Sequence, residues 1–350
     1  MTITEAIKKV VDRIDLTTEE AESVLEQIMT AQCTDAQIAS LLTALRMKGE
    51  TVTELTGFAR VMRRKAARVL AHTTVGAEIG DTERDALIDT CGTGGDVSGS
   101  FNVSTAAAFV VAGAGVRVAK HGNRSVSSQC GSADVVEALG VRIELQPNSI
   151  GRCIDEIGIG FLYAPLLHDA MKYVALARRQ MGIRTIFNML GPLTNPAGAN
   201  VQVVGVYAAH LTELLARVLG ELGTISALIV HGSDGLDEIT ITGESRITEL
   251  REGELNTYDV APEDLGLERA TLAEIQGGDA HQNSEIILDV LKGERGPRRD
   301  IVLLNAAAAF VASSKAVDLR AGVGVAAESI DSGRALKKLE QLIEFTNQGN

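Results

Sequence analysis

The sequence predicts an α/β protein with a small all-helical unit, its central mixed sheet flanked by helices. Three observations predict this. The first seventy residues repeat apolar positions at helical spacing behind four matched capping signals. After about residue 80, short apolar runs alternate with helical stretches, the mark of an α/β domain. Finally, no acidic residue occurs from Val97 to Ala133, in a chain of formal charge −13. A strongly acidic chain that clears its carboxylates from so long a stretch makes room there for an anion.

Taken in order, Ile7, Val10, Val11 and Ile14 share one helical face, as do Ala21, Val24, Leu25 and Ile28, and then Ile38, Leu41, Leu42 and Leu45. Thr2 with Glu5, Thr17 with Glu20, Thr34 with Gln37 and Thr51 with Glu54 are capping boxes, so four short amphipathic helices are expected. Expected strands are Leu87–Asp89, Val116–Ala119, Val141–Leu145, Ile159–Leu162, Val201–Val206 and Ala227–Val230. Helices are expected over Thr105–Ala112 and Ala133–Leu139, and antiparallel strands within Ile239–Tyr258, where Ile239 and Ile241 alternate with Thr. The segment Asp169–Leu190 reads as helical and is a candidate to pack on the N-terminal unit. The expected domains are residues 1–70, joined in space by roughly 168–192, and residues 71–350.

A chain of 350 residues supports two domains, and its 45% hydrophobic and 23% charged content is that of a globular protein. The acidic balance disfavours nucleic acid or an anionic membrane as partner. Four scattered cysteines, Cys33, Cys91, Cys130 and Cys153, form no C-x-x-C pair, which argues against a disulfide framework or a zinc site. No signal-peptide pattern or membrane-length apolar run is present, and the cytoplasm is the expected location.

Three clusters carry chemistry. In Leu87–Asp96 a strand runs into Gly92, Gly94 and Gly95, whose backbone N–H groups can form a nest for anionic oxygens. The loop lacks both the G-K-[ST] ending and the G-x-G-x-x-G fingerprint, and on its own such a loop is more often a surface turn. Asn102, Val103, Ser104 and Thr105 then open a helix, where free N–H groups and the dipole favour phosphate, although any helix wants a polar cap. A third strand exit follows at Lys120, His121, Gly122, Asn123, Arg124, Ser125, Val126, Ser127 and Ser128, with Ser132 as a further helix cap. Ligands of open α/β sheets sit at such carboxyl ends. Downstream, Asp237 and Glu238 follow a glycine turn and suit a hard cation that bridges to phosphates. A second acid-free zone, Ala170–Thr212, holds Lys172, Arg178, Arg179 and Arg184, one of which would make a carboxylate clamp.

Together, Asp89–Asp96, Asn102–Thr105, Lys120–Ser128, Cys130–Asp134, Arg184–Pro196 and Gly235–Glu238 resemble the anthranilate phosphoribosyltransferase family of tryptophan biosynthesis, in the same order over essentially the whole chain. The resemblance implies the nucleoside phosphorylase/phosphoribosyltransferase type of fold, with the active site between a helical and an α/β domain, and a homodimer joined through the helical domains. It implies transfer of a phosphoribosyl group from phosphoribosyl pyrophosphate to anthranilate, with two Mg²⁺ per subunit. Carried over residue by residue, the donor would meet Gly92, Gly95, Asp96, Ser100, Asn102, Val103, Ser104, Thr105, the run Lys120 to Ser128, and Ser132. Anthranilate would meet Gly92, Asn123 and Arg178, and the metal Ser104, Asp237 and Glu238. No catalytic nucleophile or essential general base is expected, because a neutral aromatic amine attacks the ribose directly. Asp169 stands where the family often has proline, which adds a carboxylate beside His168 on the route expected for anthranilate. The alternatives are a pyrimidine nucleoside phosphorylase, which continues differently after the Lys-His pair, and a non-enzymatic nucleic-acid-binding relative, which would need a basic surface.

Overall fold

Each N-terminal helix begins at its capping signal. In a computed structural model, which describes residues 1–71, 86–95, 99–125 and 129–348, the helices are α1 (Ile3–Val11), α2 (Thr18–Met29), α3 (Asp35–Lys48) and α4 (Val52–Lys65). All four capping boxes close in both directions: the Thr side chain accepts from the N3 backbone, and the N3 side chain accepts from the Thr backbone. One box does more. Glu54 of α4 is fully buried, accepts the Leu16 N–H at 3.0 Å and pairs with Lys48 at 3.1 Å, fastening the α1–α2 connection to α3 and α4.

The α/β part follows as β1 (Leu87–Gly92), α5 (Val103–Gly113), β2 (Arg117–Gly122), α6 (Ser132–Ala138), α7 (Pro147–Glu156), β3 (Ile159–Tyr163) and α8 (Ala164–Leu167). Next come α9 (Lys172–Met181), α10 (Phe187–Leu190), β4 (Val201–Gly205), α11 (Leu211–Glu221) and β5 (Ser226–Gly232). The hairpin β6 (Ser245–Arg251) and β7 (Glu254–Val260) leads to α12 (Ala280–Leu291), α13 (Pro297–Ala312), α14 (Leu319–Asp331) and α15 (Arg334–Asn347). The strands form one sheet in the order β3-β2-β1-β4-β5-β6-β7, parallel from β3 to β5 and antiparallel across β6 and β7. The mixed sheet beside a helical unit is the fold class expected from the sequence. Strand order reverses direction at β1 and β4, so the crevice for a ligand lies above their carboxyl ends.

Two large apolar cores and a smaller third one, in which Ile150 and Ile154 of α7 join Leu87, Ala119 and Leu162 of the strands, flank the sheet. One large core buries α5 and α13 with their neighbours against one face. The other large core runs from α1–α4 through α9 and α11 to the opposite face, including Val204 and Ile229. Helix α9 packs on α2 and α3, and Arg63 of α4 ties the units together by donating to the carbonyls of Leu193 at 2.7 Å and Leu222 at 3.1 Å.

One expected strand is not formed, and the antiparallel pair expected within Ile239–Tyr258 forms only over its later part. Val141–Leu145 alternates buried and exposed residues as a strand would, but it lies against α15, where the Arg142 N–H donates to the Thr346 hydroxyl at 3.2 Å instead of to a ladder. Ile239 and Ile241 are buried in alternation, yet the Asn305 amide holds both the N–H and the carbonyl of Ile239. The antiparallel pair starts only at Ser245. A period of two therefore reported burial correctly at both places, while the backbone partners were side chains of distant helices.

Candidate active site

Glycine on two neighbouring strands creates the floor of the site. Gly92 of β1 pairs in register with Gly205 of β4. A Cβ on Gly205 would come within 1.6 Å of the Asp237 carbonyl oxygen, and one on Gly92 within 2.3 Å of Asp237 Oδ2. The loop carrying Asp237 and Glu238 thus rests directly on bare backbone. Its position brings it to two sets of N–H donors. Asp237 Oδ2 accepts from the Gly94 N–H at 2.8 Å, and Glu238 Oε1 accepts from the Ser104 N–H at 3.0 Å, at the N-terminus of α5. Gly94 and Gly95 have φ of +65° and +79°, a backbone conformation that favours glycine.

Under this floor lies a buried polar network. Lys120 Nζ donates to the Thr90 carbonyl and to the Ser104 hydroxyl at 3.4 Å, and the Thr90 hydroxyl donates to the Ser104 carbonyl at 3.1 Å. Asp89, fully buried, accepts from the His121 N–H at 3.0 Å and from the Asn195 amide at 2.8 Å. Burial raises its carboxyl from the usual range, against the pull of Lys120. Thus the exits of β1 and β2, the start of α5 and the 191–196 loop are cross-linked through Asp89, Lys120 and Asn195. Ser104, Lys120, Asp237 and Glu238 converge.

The third strand exit is ordered by α6. The Asn123 N–H donates to Ser132 Oγ at 3.2 Å, and Asp134 Oδ2 accepts from the N–H groups of Ser125 and Gly131 at 3.2 and 2.9 Å. The Arg124 guanidinium is engaged by Asp134 at 2.8 Å, Glu137 at 2.9 Å and the Tyr163 hydroxyl at 3.1 Å. Asn102 does not cap α5 with its side chain, which instead accepts from the Asn283 amide at 3.0 Å. Val103 and Thr105 are buried, Gly122 is packed under Phe161, and Ser100 bridges to Gln276. Asp96, Val126, Ser127 and Ser128 lie outside the described residues.

Arg178 stands apart on α9. Its guanidinium stacks 5.4 Å from the Phe187 ring, burial lowers its pKa, and it has no carboxylate partner among the described residues. The rings of His121 and His168 lie 5.1 Å apart at a tilt of 46°, and the Nε2 atoms of both are buried with no hydrogen-bond partner among the described residues. Because the Gly191 carbonyl can only accept, His121 presents its Nδ1 proton to it at 3.2 Å and leaves Nε2 as a bare acceptor. Burial pushes His121 down to about 3, helped by the neighbouring His168 and Lys120, and pushes His168 down to about 4.

Sequence reasoning did not single out Thr93, Asp134, Asn195, Gly205 or Tyr207 as parts of the site. Of these, Thr93, Asp134 and Asn195 lie within stretches quoted from the sequence, Leu87–Asp96, Cys130–Asp134 and Arg184–Pro196. Gly205 and Tyr207 act only once β4 lies beside β1.

The oxygen donors of Ser104, Asp237 and Glu238 fit Mg²⁺, and no group of three or more His, Cys, Asp or Glu side chains suited to a metal occurs among the described residues. Such a set suits a cation completed by substrate oxygens and water rather than an all-protein cage.

A family model described as glycosyl transferase family, a/b domain, matches residues 84–336, and one described as glycosyl transferase family, helical bundle domain, matches residues 4–66. The anthranilate phosphoribosyltransferase of Geotalea uraniireducens is 55% identical over 353 aligned positions, covering 99% of this chain and 100% of that one. Among solved structures, the anthranilate phosphoribosyltransferase of Thermus thermophilus superposes with a TM-score of 0.90 at 42% identity, over 97% of this chain and 99% of that chain. That of Saccharomyces cerevisiae, in complex with phosphoribosyl pyrophosphate and Mg, superposes at 0.87 with 27% identity, over 99% and 98% of the two chains. A structure of the same yeast enzyme with 4-fluoroanthranilate superposes at 0.86 with 26% identity and the same coverage. Identity of this level over the whole length, on the same helical and α/β parts, makes the chain a glycosyltransferase that belongs to the anthranilate phosphoribosyltransferase family.

Proposed function

We propose that the chain transfers the 5-phosphoribosyl group of phosphoribosyl pyrophosphate to the amine of anthranilate, releasing pyrophosphate and forming N-(5-phosphoribosyl)anthranilate, the second step from chorismate to tryptophan. The observation that carries this reading is the pairing of Asp237 with the Gly94 N–H and of Glu238 with the Ser104 N–H. Two carboxylates and two anion-seeking donor sets meet at the sheet's switch point, as a site for a metal-bound diphosphate requires.

In this reading the loop at Gly92, Gly95 and Asp96, Ser100, the start of α5 from Asn102 to Thr105, the run from Lys120 to Ser128, and Ser132 take the donor. Lys120 adds a buried positive charge beneath Ser104. Ser104, Asp237 and Glu238 would hold two Mg²⁺, which would supply neutralising charge for the leaving diphosphate. Gly92, Asn123 and Arg178 meet anthranilate, and the guanidinium of Arg178, without an ion pair among the described residues, donates to its carboxylate. The amine is neutral at pH 7 and needs no strong base, so the residues act by orienting it over the ribose and by aiming donors at the departing oxygens. Loss of one such donor costs about 10²–10³ in rate.

The same reading takes residues 1–70 with roughly 168–192 as the helical domain and 71–350 as the second domain, supported by the packing of α9 on α2 and α3. Exposed Val11, Ile14 and Met47 on the helical unit favour a homodimer through that surface. Four free cysteines favour the reducing cytoplasm, and no helix among the described residues is long and apolar enough to cross a membrane.

The test is the loss of anthranilate fluorescence in the presence of phosphoribosyl pyrophosphate. Consumption that requires Mg²⁺ is expected. No Mg²⁺-dependent consumption, or phosphorolysis of thymidine or uridine in its place, overturns the reading.

A further inference from the structure

Arg184 sits in the bend between α9 and α10, two residues after Gly182, whose φ of +62° ends α9. Its guanidinium donates to the Gly95 carbonyl and stacks 4.5 Å from the centre of the Tyr207 ring. It makes no ion pair among the described residues, and its positive charge stands at the rim of the glycine loop. Tyr207 in turn donates its N–H to the Thr93 hydroxyl at 3.2 Å, and the Thr93 N–H donates to the Gly205 carbonyl at 2.9 Å. Three consecutive loop residues are therefore held by three different parts of the chain: Thr93 by β4 and its exit, Gly94 by Asp237, and Gly95 by Arg184.

The Gly95 contact differs from the other two because it engages a carbonyl. A carbonyl turned into an anion cradle would repel the ligand, and Arg184 keeps this one occupied by a cation. The approach requires glycine: a Cβ at Gly95 would lie 3.3 Å from Arg184 Nε, on a backbone with φ of +79°. The bend also belongs to the segment that carries Arg178, six positions earlier, and it is fixed beyond Arg184 by the Thr185 N–H donating to Asn188 Oδ1 at 3.0 Å.

We propose that Arg184 is a positioning residue for the donor's diphosphate: it braces Gly95 so that the loop presents donors rather than a carbonyl, adds positive charge, and ties the loop to the helix bearing Arg178. This rests on the reading of the glycine loop as the diphosphate cradle. The test is calorimetric binding of magnesium pyrophosphate and of phosphoribosyl pyrophosphate with Mg²⁺ to the full chain, Arg184→Ala and Arg184→Lys, alongside steady-state kinetics. Arg184→Ala is expected to weaken pyrophosphate binding by about 10- to 100-fold and to raise the KM for phosphoribosyl pyrophosphate by a similar factor, the range of a lost charge-assisted hydrogen bond. The KM for anthranilate is expected to change by less than about threefold, because Arg178 stays in place. Arg184→Lys should recover part of the loss, since an ammonium can meet the carbonyl but cannot stack as a planar fork. Unchanged pyrophosphate affinity in Arg184→Ala overturns the brace. So does equal impairment of both variants with a lowered unfolding midpoint, which would mark a merely structural role. A wild-type chain that bound neither ligand would overturn the cradle reading itself, and the brace with it.

Discussion

A half-buried guanidinium with no carboxylate partner among the described residues is an expensive thing to keep, and Arg178 is one. It lies over the Phe187 ring, a face that suits a planar fork without neutralising it. If that vacancy takes the acceptor's carboxylate, Arg178→Ala raises the KM for anthranilate by about tenfold or more and that for phosphoribosyl pyrophosphate much less. Equal rises in steady-state assays would remove Arg178 from the acceptor site. The histidine pair makes a second prediction. His121 and His168 are held neutral in the fold, at about 3 and about 4, but titrate near 6.5 once unfolded. Below about pH 6.5 the unfolded chain takes up protons that the fold refuses, so this stability is complete above that pH and is lost as pH falls towards 4. His168→Asn should therefore flatten the fall of the unfolding midpoint between pH 6.5 and 4. A slope identical to that of the wild type would locate the acid sensitivity elsewhere. Asp237 and Glu238 were legible in the sequence because a glycine turn at a strand end is a local signal. Tyr207 and Gly205 were not, since their contribution exists only once β4 lies beside β1.

The helices were the most legible elements, because a capping box encodes its own position: threonine, two residues, then Glu or Gln. The structure adds that Glu54 serves two masters, completing its cap through the Thr51 N–H at 3.0 Å while pairing with Lys48 in the interior. Lys48 is also held by the more exposed Asp15 at 2.7 Å. Removing Glu54 leaves a nearly buried ammonium held by that exposed carboxylate and by the Gly49 carbonyl at 2.7 Å. Glu54→Ala is accordingly expected to cost about 3 kcal/mol in urea unfolding, and a loss below about 1 kcal/mol would show that Asp15 compensates. The false strand at Val141–Leu145 failed for the complementary reason. Alternation reports which side chains face a core, and a chain lying on a helix such as α15 can alternate as well as one lying in a sheet.

Across the molecule, the decisive fact is that the helical unit has no core of its own. Its apolar residues continue through α9 and α11 onto β4 and β5. A helical unit fused in this way should not melt separately, so calorimetry and far-ultraviolet dichroism are expected to report one coincident transition; two resolved transitions would show the shared core to be weak. Sequence could announce both units but not this continuity, which depends on which face of the sheet each helix covers. The glycines Gly92 and Gly205 have a consequence at the same scale. At Gly205 the Asp237 loop meets main chain with main chain, with no rotatable side chain between, while Gly92 faces the Asp237 carboxylate. The height of the loop above the sheet is thereby set by van der Waals contact of covalently stiff backbone, as by a ruler. A methyl group at Gly205 would lengthen that ruler by a step that no rotamer change could take back.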